Sequence, residues 1–328
     1  MIKNMNLLFS AAGRRVSLLR HFRKTLNDMG LQGLVITADL EKTAPASYVA
    51  DRTVIVPRAV DPTYISTLLE ICQNHDVKLL ASLIDTDLML LSRHRDAFEN
   101  IGVKLLLCSE ATNEICANKL KTAAFFEANH IPTPRIYTLA AALDLPDDAY
   151  PLLIKPFDGS SGIGVVKVTS VEELRFFAGY IKNAIIQEYI WGEEFTVDVY
   201  VDFKGKVRCA VPRKRLEVRG GEVSKCITVK DKKLMKTACA VVASLPGKTG
   251  CITVQCFRQS DGKLKFIEIN PRFGGGIPLS LHAGADFPKW ILQEMTSGAC
   301  DAEMSAWADD LVMLRYDDEI IVSGEDII

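Results

Sequence analysis

The sequence predicts a protein of mixed α/β and α+β class: a parallel sheet covered by helices, followed by a strand-rich remainder. Three observations predict it. Short apolar runs alternate with helix-period segments over residues 1–108, the pattern of a parallel sheet covered on both faces. Beyond residue 150 strand-like runs follow one another, separated by glycine-containing turns. Near the end, Cys251–Arg258 and Phe266–Asn270 flank Ser260-Asp261-Gly262-Lys263, a strong hairpin signal.

Asn6–Ser10 reads as the first strand and Ala11-Ala12-Gly13 as a turn. Arg14–Met29 is a helix, with Val16, Leu18, Leu19, Phe22 and Leu26 near helical spacing and Gly30 as its stop. Strands Leu34–Ala38, Thr53–Val56, Lys78–Leu83 and Val103–Leu107 alternate with helices Pro62–Asn74 and Thr86–Asn100. Residues 1–108 are therefore expected to form a Rossmann-like N-terminal domain. Ligands of such sheets sit beyond the carboxyl ends of the strands, where Ser10, Gly13, Arg14, Asp39, Asp85 and Asp87 fall. For any one of them, capping or loop solvation is the plainer reading. The first loop has no GxGxxG sequence, which weighs against a nicotinamide oxidoreductase.

Ser109–Ala128 is expected as a helical segment with Ser109 as N-cap, and Leu143–Tyr150 as a loop. Pro151–Pro156 is a strand carrying Lys155, followed by the loop Phe157–Gly164 and the strand Val165–Val168. A glycine-serine loop exposes backbone N–H groups that can cradle phosphate oxygens; a hairpin tip that binds nothing is the alternative. Val171–Ala178 is a helix, and Ala184–Ile190 and Phe195–Asp202 are strands. Lys206–Val211 returns as a strand. Arg213-Lys214-Arg215 then reads as a basic cluster whose bland explanation is a solvated edge strand. Asp231–Leu245 is a helix, Gly274–Gly284 an irregular loop, and Asp286–Gly298 a helix. Leu311–Arg315 and Glu319–Val322 are strands of a C-terminal extension.

A two-residue hairpin loop, Asp261-Gly262, pairs Ser260 with Lys263 and brings Gln255 opposite Glu268. The period of two puts Glu268 and Asn270 on one face and Ile267 and Ile269 on the other. Three oxygen donors without Cys or His suit Mg²⁺, which binds through few carboxylates and substrate phosphates. A hairpin with a polar outer face is the bland alternative.

Composition excludes several classes. The net charge of −2 gives no reason to expect a nucleic-acid or membrane partner. No segment approaches the apolar length that crosses a bilayer. The apolar run Leu7–Ala12 is short and has arginines directly after it, unlike a signal peptide. The nine cysteines form no CxxC pair and read as buried free thiols of a cytoplasmic protein.

The ordered set Asn118-Lys119, IKP (154–156), SSGIGV (160–165), QEYIWGEEFTVDV (187–199), TVQCF (253–257) and IEINPR (267–272) resembles the ATP-grasp superfamily, in particular its carbamoyl-phosphate-synthase-like branch. The resemblance covers residues 5–298 and implies a pre-ATP-grasp domain (1–108). A small lobe with a glycine-rich loop (109–187), a large lobe with the metal site (188–298) and an extension (299–328) would follow.

By that resemblance, Lys119 and Lys155 would contact ATP phosphates, and the loop with Ser160, Ser161, Gly162 and Gly164 would fold over them. Backbone groups of Glu188 and Ile190, in a segment with Gln187 and Tyr189, would bind adenine. Glu194 would take the ribose hydroxyls. Gln255, Glu268 and Asn270 would hold two Mg²⁺ ions, with Mn²⁺ as a substitute. Arg272, with Arg213 or Arg215, would stabilise the transferring phosphate.

The implied activity is an ATP- and Mg²⁺-dependent ligase. It would activate a small carboxylate as an acyl phosphate and couple it to an amine or similar nucleophile, in a cytoplasmic protein and as a homodimer. One ATP-grasp unit and no glutaminase portion speak against carbamoyl phosphate synthesis itself. A non-catalytic ATP-binding regulatory protein is the alternative, against which the matched metal ligands count.

Overall fold

In the computed structural model, which describes residues 4–159 and 162–327, three sheets succeed one another along the chain. The first contains β1 (Asn6–Ser10), β2 (Val35–Asp39), β3 (Arg52–Ile55), β4 (Val77–Ser82) and β5 (Lys104–Leu105), in the order β3-β2-β1-β4-β5. Every pair in it is parallel. All residues of β1 and β2 are buried, as strands covered on both faces require. The crossovers hold α1 (Val16–Asp28), α2 (Tyr64–Asn74), α3 (Asp85–Arg93) and α4 (Arg95–Asn100). The single helix expected over Thr86–Asn100 is two, broken at His94. Tertiary anchoring accompanies the break: Arg95 Nη2 donates to the Leu107 and Cys108 carbonyls at 2.6 and 3.2 Å.

The segment expected as one helix over Ser109–Ala128 is likewise α5 (Glu110–Ala117) and α6 (Lys119–Ala128). Asn118 between them is extended (φ −130°, ψ 116°), and its Oδ1 accepts from the Leu120 and Lys121 N–H groups at 2.9 and 3.3 Å. An asparagine offers the backbone this local alternative to helical continuation. Ser109 Oγ caps α5 by accepting from Thr112 N. The second sheet has the order β6-β9-β7-β8 and is antiparallel throughout. Its strands are β6 (Ile136–Tyr137), β7 (Leu152–Pro156), β8 (Val166–Val168) and β9 (Ala184–Glu188), with helices α7 (Leu139–Leu143) and α8 (Val171–Tyr180). The expected loop at 143–150 starts on the last residue of α7 and holds a short 3₁₀ turn, Asp147–Ala149.

The third sheet is antiparallel, in the order β14-β13-β10-β11-β12-β15. It comprises β10 (Glu193–Val201), β11 (Val207–Arg219), β12 (Glu222–Thr228), β13 (Gly250–Arg258), β14 (Leu264–Asn270) and β15 (Val312–Leu314). Helices α9 (Lys232–Ala243), α10 (Ile277–His282) and α11 (Phe287–Ser297) complete this part. Four expectations change here. The return strand runs to Arg219, so Arg213-Lys214-Arg215 sits on an inner strand and not at a solvated edge. Strand β12 follows the Gly220-Gly221 turn where no strand was expected. The irregular loop at 274–284 contains α10, and residues 319–322 form no strand.

The hairpin β13–β14 pairs Gln255 with Glu268 as expected, but by another route. Gln259 N donates to Lys263 O and Gly262 N to Gln259 O, both at 2.9 Å, so the loop has three residues, with Gly262 at φ +77°. The register then shifts between Gln255 and Cys256, leaving Ile267 as an extra, bulged residue. The bulge cancels the longer turn. It also turns Ile267 toward the same cavity as Glu268, contrary to strict alternation.

The first and third sheets share one core: Phe22 of α1 meets Phe273 edge-on at 5.9 Å, and α1 packs on α10 and α11. Separate apolar clusters fill the outer side of the first sheet and the second sheet's helix-covered face.

Candidate active site

Strand register assembles the site. Glu268, Gln255, Thr196 and Arg213 form one row across β14, β13, β10 and β11. Asn270, Thr253, Asp198 and Val211 form the next. All of these residues except the buried Asp198 and Val211 floor a cavity of about 700 Å³ roofed by the second sheet and closed at one end by the first loop of the N-terminal part. Lys119, Lys155, Gly162, Gln187, Glu188, Tyr189, Ile190, Glu194, Arg213, Arg215, Gln255, Glu268, Asn270 and Arg272 all line it. Gly164 does not, and Ser160 and Ser161 lie outside the described residues.

Two lysines line the cavity, and Lys155 feels the acid of β14. Lys155 on β7 is buried, and burial pushes its ammonium down to about 8, against the pull of Glu268 and with the push of Lys119. The Asn118 cap puts Lys119 at the start of α6, where its N–H donates to Phe157 O at 2.9 Å and its Nζ to Gly159 O. The cation thus sits at the base of the glycine loop.

Three arginines already have protein partners. Arg213 donates through Nε and Nη2 to both oxygens of Asp198 at 2.7 and 3.0 Å. Ser280 and Thr253 hydroxyls donate to the same carboxylate at 2.6 and 3.3 Å. Arg213 is 1% exposed; burial opposes its charge, but Asp198 holds it protonated above the ordinary value. Gly276 must be a glycine there, because a Cβ would lie 2.1 Å from Arg213 Nη1. Arg215 Nη1 donates to Glu194 Oε1 at 2.5 Å and to Gln255 Oε1 at 3.0 Å. Burial raises the Glu194 carboxyl against the pull of Arg215. Arg272 is paired with Asp85 at the start of α3 through two hydrogen bonds, and its Nη2 also approaches Asn270 Oδ1 at 3.4 Å.

Glu188 is occupied too: its Oε2 accepts from Arg135 N at 3.0 Å and from Lys265 Nζ at 3.1 Å, and its own N–H donates to Arg135 O. Glu188 and Ile190 line the cavity beside the apolar wall of Leu153, Val165, Phe257 and Ile267.

Among the N-terminal candidates, Gly13, Arg14 and Asp85 reach the cavity. Ser10, Asp39 and Asp87 do not. Asp87 is a buried structural acid that accepts from Ser10, Tyr64 and Ser82 hydroxyls at 3.1, 2.7 and 3.1 Å. Asp39 accepts from Gly13 N at 3.2 Å, and burial raises its carboxyl. Sequence reasoning missed Arg15, Glu222 and Arg315, which also line the cavity. They come from three distant segments, and only the Arg14-Arg15 pair directly after the first turn carries a local signal.

The nine cysteines are free and mostly buried. Among the described residues no helix is long and apolar enough to cross a membrane, and no group of three or more His, Cys, Asp or Glu could hold a metal. The Gln255, Glu268 and Asn270 patch has a single carboxylate.

A family model described as "PylC-like, N-terminal domain" matches residues 7–106, and one described as "ATP-grasp domain" matches residues 116–276. A D-alanine–D-alanine ligase of Stutzerimonas stutzeri is 34% identical over 93 residues, which are 26% of this chain and 30% of that one. The chain spans about a third of the length of the first curated relatives it matches. Among solved structures, the biotin carboxylase domain of Hydrogenobacter thermophilus 2-oxoglutarate carboxylase superposes with a TM-score of 0.74 at 17% identity, covering 94% of this chain and 73% of that one. That domain was crystallised as a dimer with MgADP, ADP and bicarbonate. An L-amino acid ligase from Bacillus licheniformis gives 0.68 at 21% identity, covering 93% and 76%. These likenesses and the two matched segments agree with the three-sheet architecture. The chain belongs to the ATP-grasp proteins, with an ATP-grasp domain behind a PylC-like N-terminal domain.

Proposed function

We propose that this chain is an ATP-dependent ligase that activates a small carboxylate as an acyl phosphate and joins it to an amine. One observation carries the reading: a single cavity gathers Lys119, Lys155, Glu268, Asn270 and Arg272, and extends at its far end to the first loop of the N-terminal part, which lines it. The D-alanine–D-alanine ligases and the L-amino acid ligase among its relatives support the same reaction class. The matched segments support a division near residue 108; further divisions near 187 and 298 belong to the proposal.

In this reading adenine lies against Leu153, Ile190, Phe257 and Ile267, with the Glu188 carbonyl and Ile190 N–H at its edge. Gln187 and Tyr189 border the slot, and Glu194 faces the ribose. Lys119 and Lys155 hold the phosphates under the loop of residues 160–164. The donor set fits a hard cation bound through Glu268, Asn270 and Gln255 together with nucleotide phosphates. The Gln255 carbonyl already accepts from Arg215, but an amide oxygen has two lone pairs. Mg²⁺ there would neutralise phosphate charge. A second ion, or Mn²⁺ in its place, would rely on phosphate oxygens, since Glu268 is the only carboxylate of the three.

A carboxylate oxygen of the acceptor attacks the γ-phosphorus, the bond to the β–γ bridging oxygen breaks, and ADP leaves with that electron pair. Arg272 stabilises the phosphoryl group, with Arg215 beside it; Arg213 acts from beneath, because Asp198 already claims it. The amine nitrogen then attacks the acyl carbon, phosphate departs, and the nitrogen loses a proton. A homodimer, as in the biotin carboxylase relative, is compatible with this reading.

Incubation with MgATP and pooled carboxylates and amines tests it, with ADP release as the readout and mass spectrometry for the product. The expected result is ADP and a coupled product that appear together. Tight nucleotide binding without ADP release for any pool would favour a non-catalytic nucleotide-binding role.

A further inference from the structure

The end of the cavity nearest the N-terminal part is lined by an arginine cluster. Glu222, the first residue of β12, lies 3.4 Å from Arg15 Nη2, 3.1 Å from Arg315 Nη1 and 3.8 Å from Arg14 Nη2. Three guanidiniums from two remote segments share one carboxylate. Arg272 stands close by, but Asp85 pairs with it. Two positive charges of the cluster therefore have no protein counter-ion among the described residues.

The cluster is built, not incidental. β15 pairs with β12, and Arg315, just after β15, donates its N–H to Ser224 O at 2.9 Å and Nη1 to Val223 O at 3.1 Å. The C-terminal extension thereby places a cation in the cavity. Gly275 leaves room for the pair beneath it, since a Cβ there would come within 2.8 Å of Arg15 Nη1 and 3.0 Å of the Glu222 carboxyl carbon. Arg15 is mostly buried, with 18% of its side chain exposed. Burial and then its arginine neighbours depress it, with Glu222 the one opposing charge.

Like charges held together at partial burial are costly unless an anion joins them. Arginine forks match carboxylates and phosphates through paired hydrogen bonds, at fixed geometry.

We propose that the acid activated at this site carries a second anionic group, a carboxylate or a phosphate, bound by Arg15 and Arg315 with Arg14 at the rim. The inference rests on the ligase reading for the word "activated" and on the cluster alone for the binding. The reacting carboxylate points toward Arg272 and the Glu268 patch; the second anion anchors the far end. A neutral group in its place would leave two of the cluster's three charges without a counter-ion.

Calorimetric titration in the presence of MgADP at fixed ionic strength tests this. The probes are glutarate and adipate, the monoamide of each, and the analogues with a terminal phosphonate. The readout is the affinity ratio of dianion to monoamide within each protein, so a loss of folding or of nucleotide binding cannot imitate it. The expected ratio is about tenfold or more, as two charge-assisted contacts supply. It should fall at least about threefold in Arg315→Gln and in Arg14→Gln, the latter at an exposed position with little consequence for folding. The tighter of the carboxylate and phosphonate series identifies the second group. A ratio near one in the parent protein, or a ratio unchanged in both variants, overturns the proposal. A high ratio with no ADP release from any acceptor would uphold the anion site and sink the ligase reading; ADP release with simple monoacids and a ratio near one would do the reverse.

Discussion

Arg272 and Asp85 stand 187 positions apart and meet through two hydrogen bonds, Nε to Oδ1 at 2.8 Å and Nη2 to Oδ2 at 2.6 Å. Burial works against the Arg272 charge, and Asp85 more than restores it. The pair ties the strand end carrying the candidate metal ligands to the first turn of α3, so it fixes where the guanidinium can point.

Asp85→Asn should therefore misplace Arg272 more than it weakens the fold. The Asp85 side chain is 37% exposed, which limits the stability cost to about 1 kcal/mol. The expected kinetic signature is a lower kcat with little change in KM for ATP. A fall in melting temperature with kcat intact would mean that the pair is merely a strut.

Lys155 gives a pH signature of defined sign. Its folded-state value of about 8 lies below the ordinary 10.5. Between those values the unfolded chain binds more protons, so this group's contribution to stability rises with pH across that window. Phosphate binding needs the charged ammonium, so nucleotide affinity should move the opposite way, weakening by up to about tenfold per pH unit above about 8. Lys155→Ala should bind ATP more weakly near neutral pH and lose most of that slope. Titrations from pH 7 to about 10 on both proteins give the answer.

Gln255 supplies a neutral donor where a carboxylate would add charge. Gln255→Glu should tighten Mg²⁺ binding in the presence of ADP by roughly tenfold, because cation affinity follows ligand charge count. The new acid would also pair with Arg215, 3.0 Å from the present amide oxygen. Unchanged Mg²⁺ affinity would place the cation elsewhere.

Gly276→Ala probes the buried Arg213–Asp198 pair. The added methyl would meet Arg213 Nη1 at 2.1 Å and Val223 Cγ1 at 2.6 Å, and Arg213 cannot swing away without leaving Asp198. A loss of about 1–3 kcal/mol in denaturant unfolding is expected, against little or no loss for Gly179→Ala in α8, where the added methyl meets nothing within 4 Å and the backbone is helical.

The parallel sheet of the N-terminal part and the opposition of Gln255 to Glu268 were legible because apolar periodicity and turn chemistry are local. The latter came out right although the hairpin loop is one residue longer than Asp-Gly suggests and a bulge at Ile267 restores the count. The helix breaks at His94 and Asn118 were hidden by continuous helical patterning. The burial of Arg213 depends on two neighbouring strands and on Gly276, Ser280 and Thr253, none of which lies beside it in the chain. The Arg15, Glu222 and Arg315 cluster was illegible for the same reason. It exists only once β15 has paired with β12 and the first loop has closed on the large sheet.

The most direct test of the site is ADP release by Glu268→Ala set beside the parent protein, with folding followed by thermal melting. Glu268 is half-buried and outside the apolar core, so the variant should melt as the parent does and release no ADP above background. A variant that folds normally and releases ADP at the parental rate would contradict the placement of nucleotide phosphates and metal over Gln255, Glu268 and Asn270.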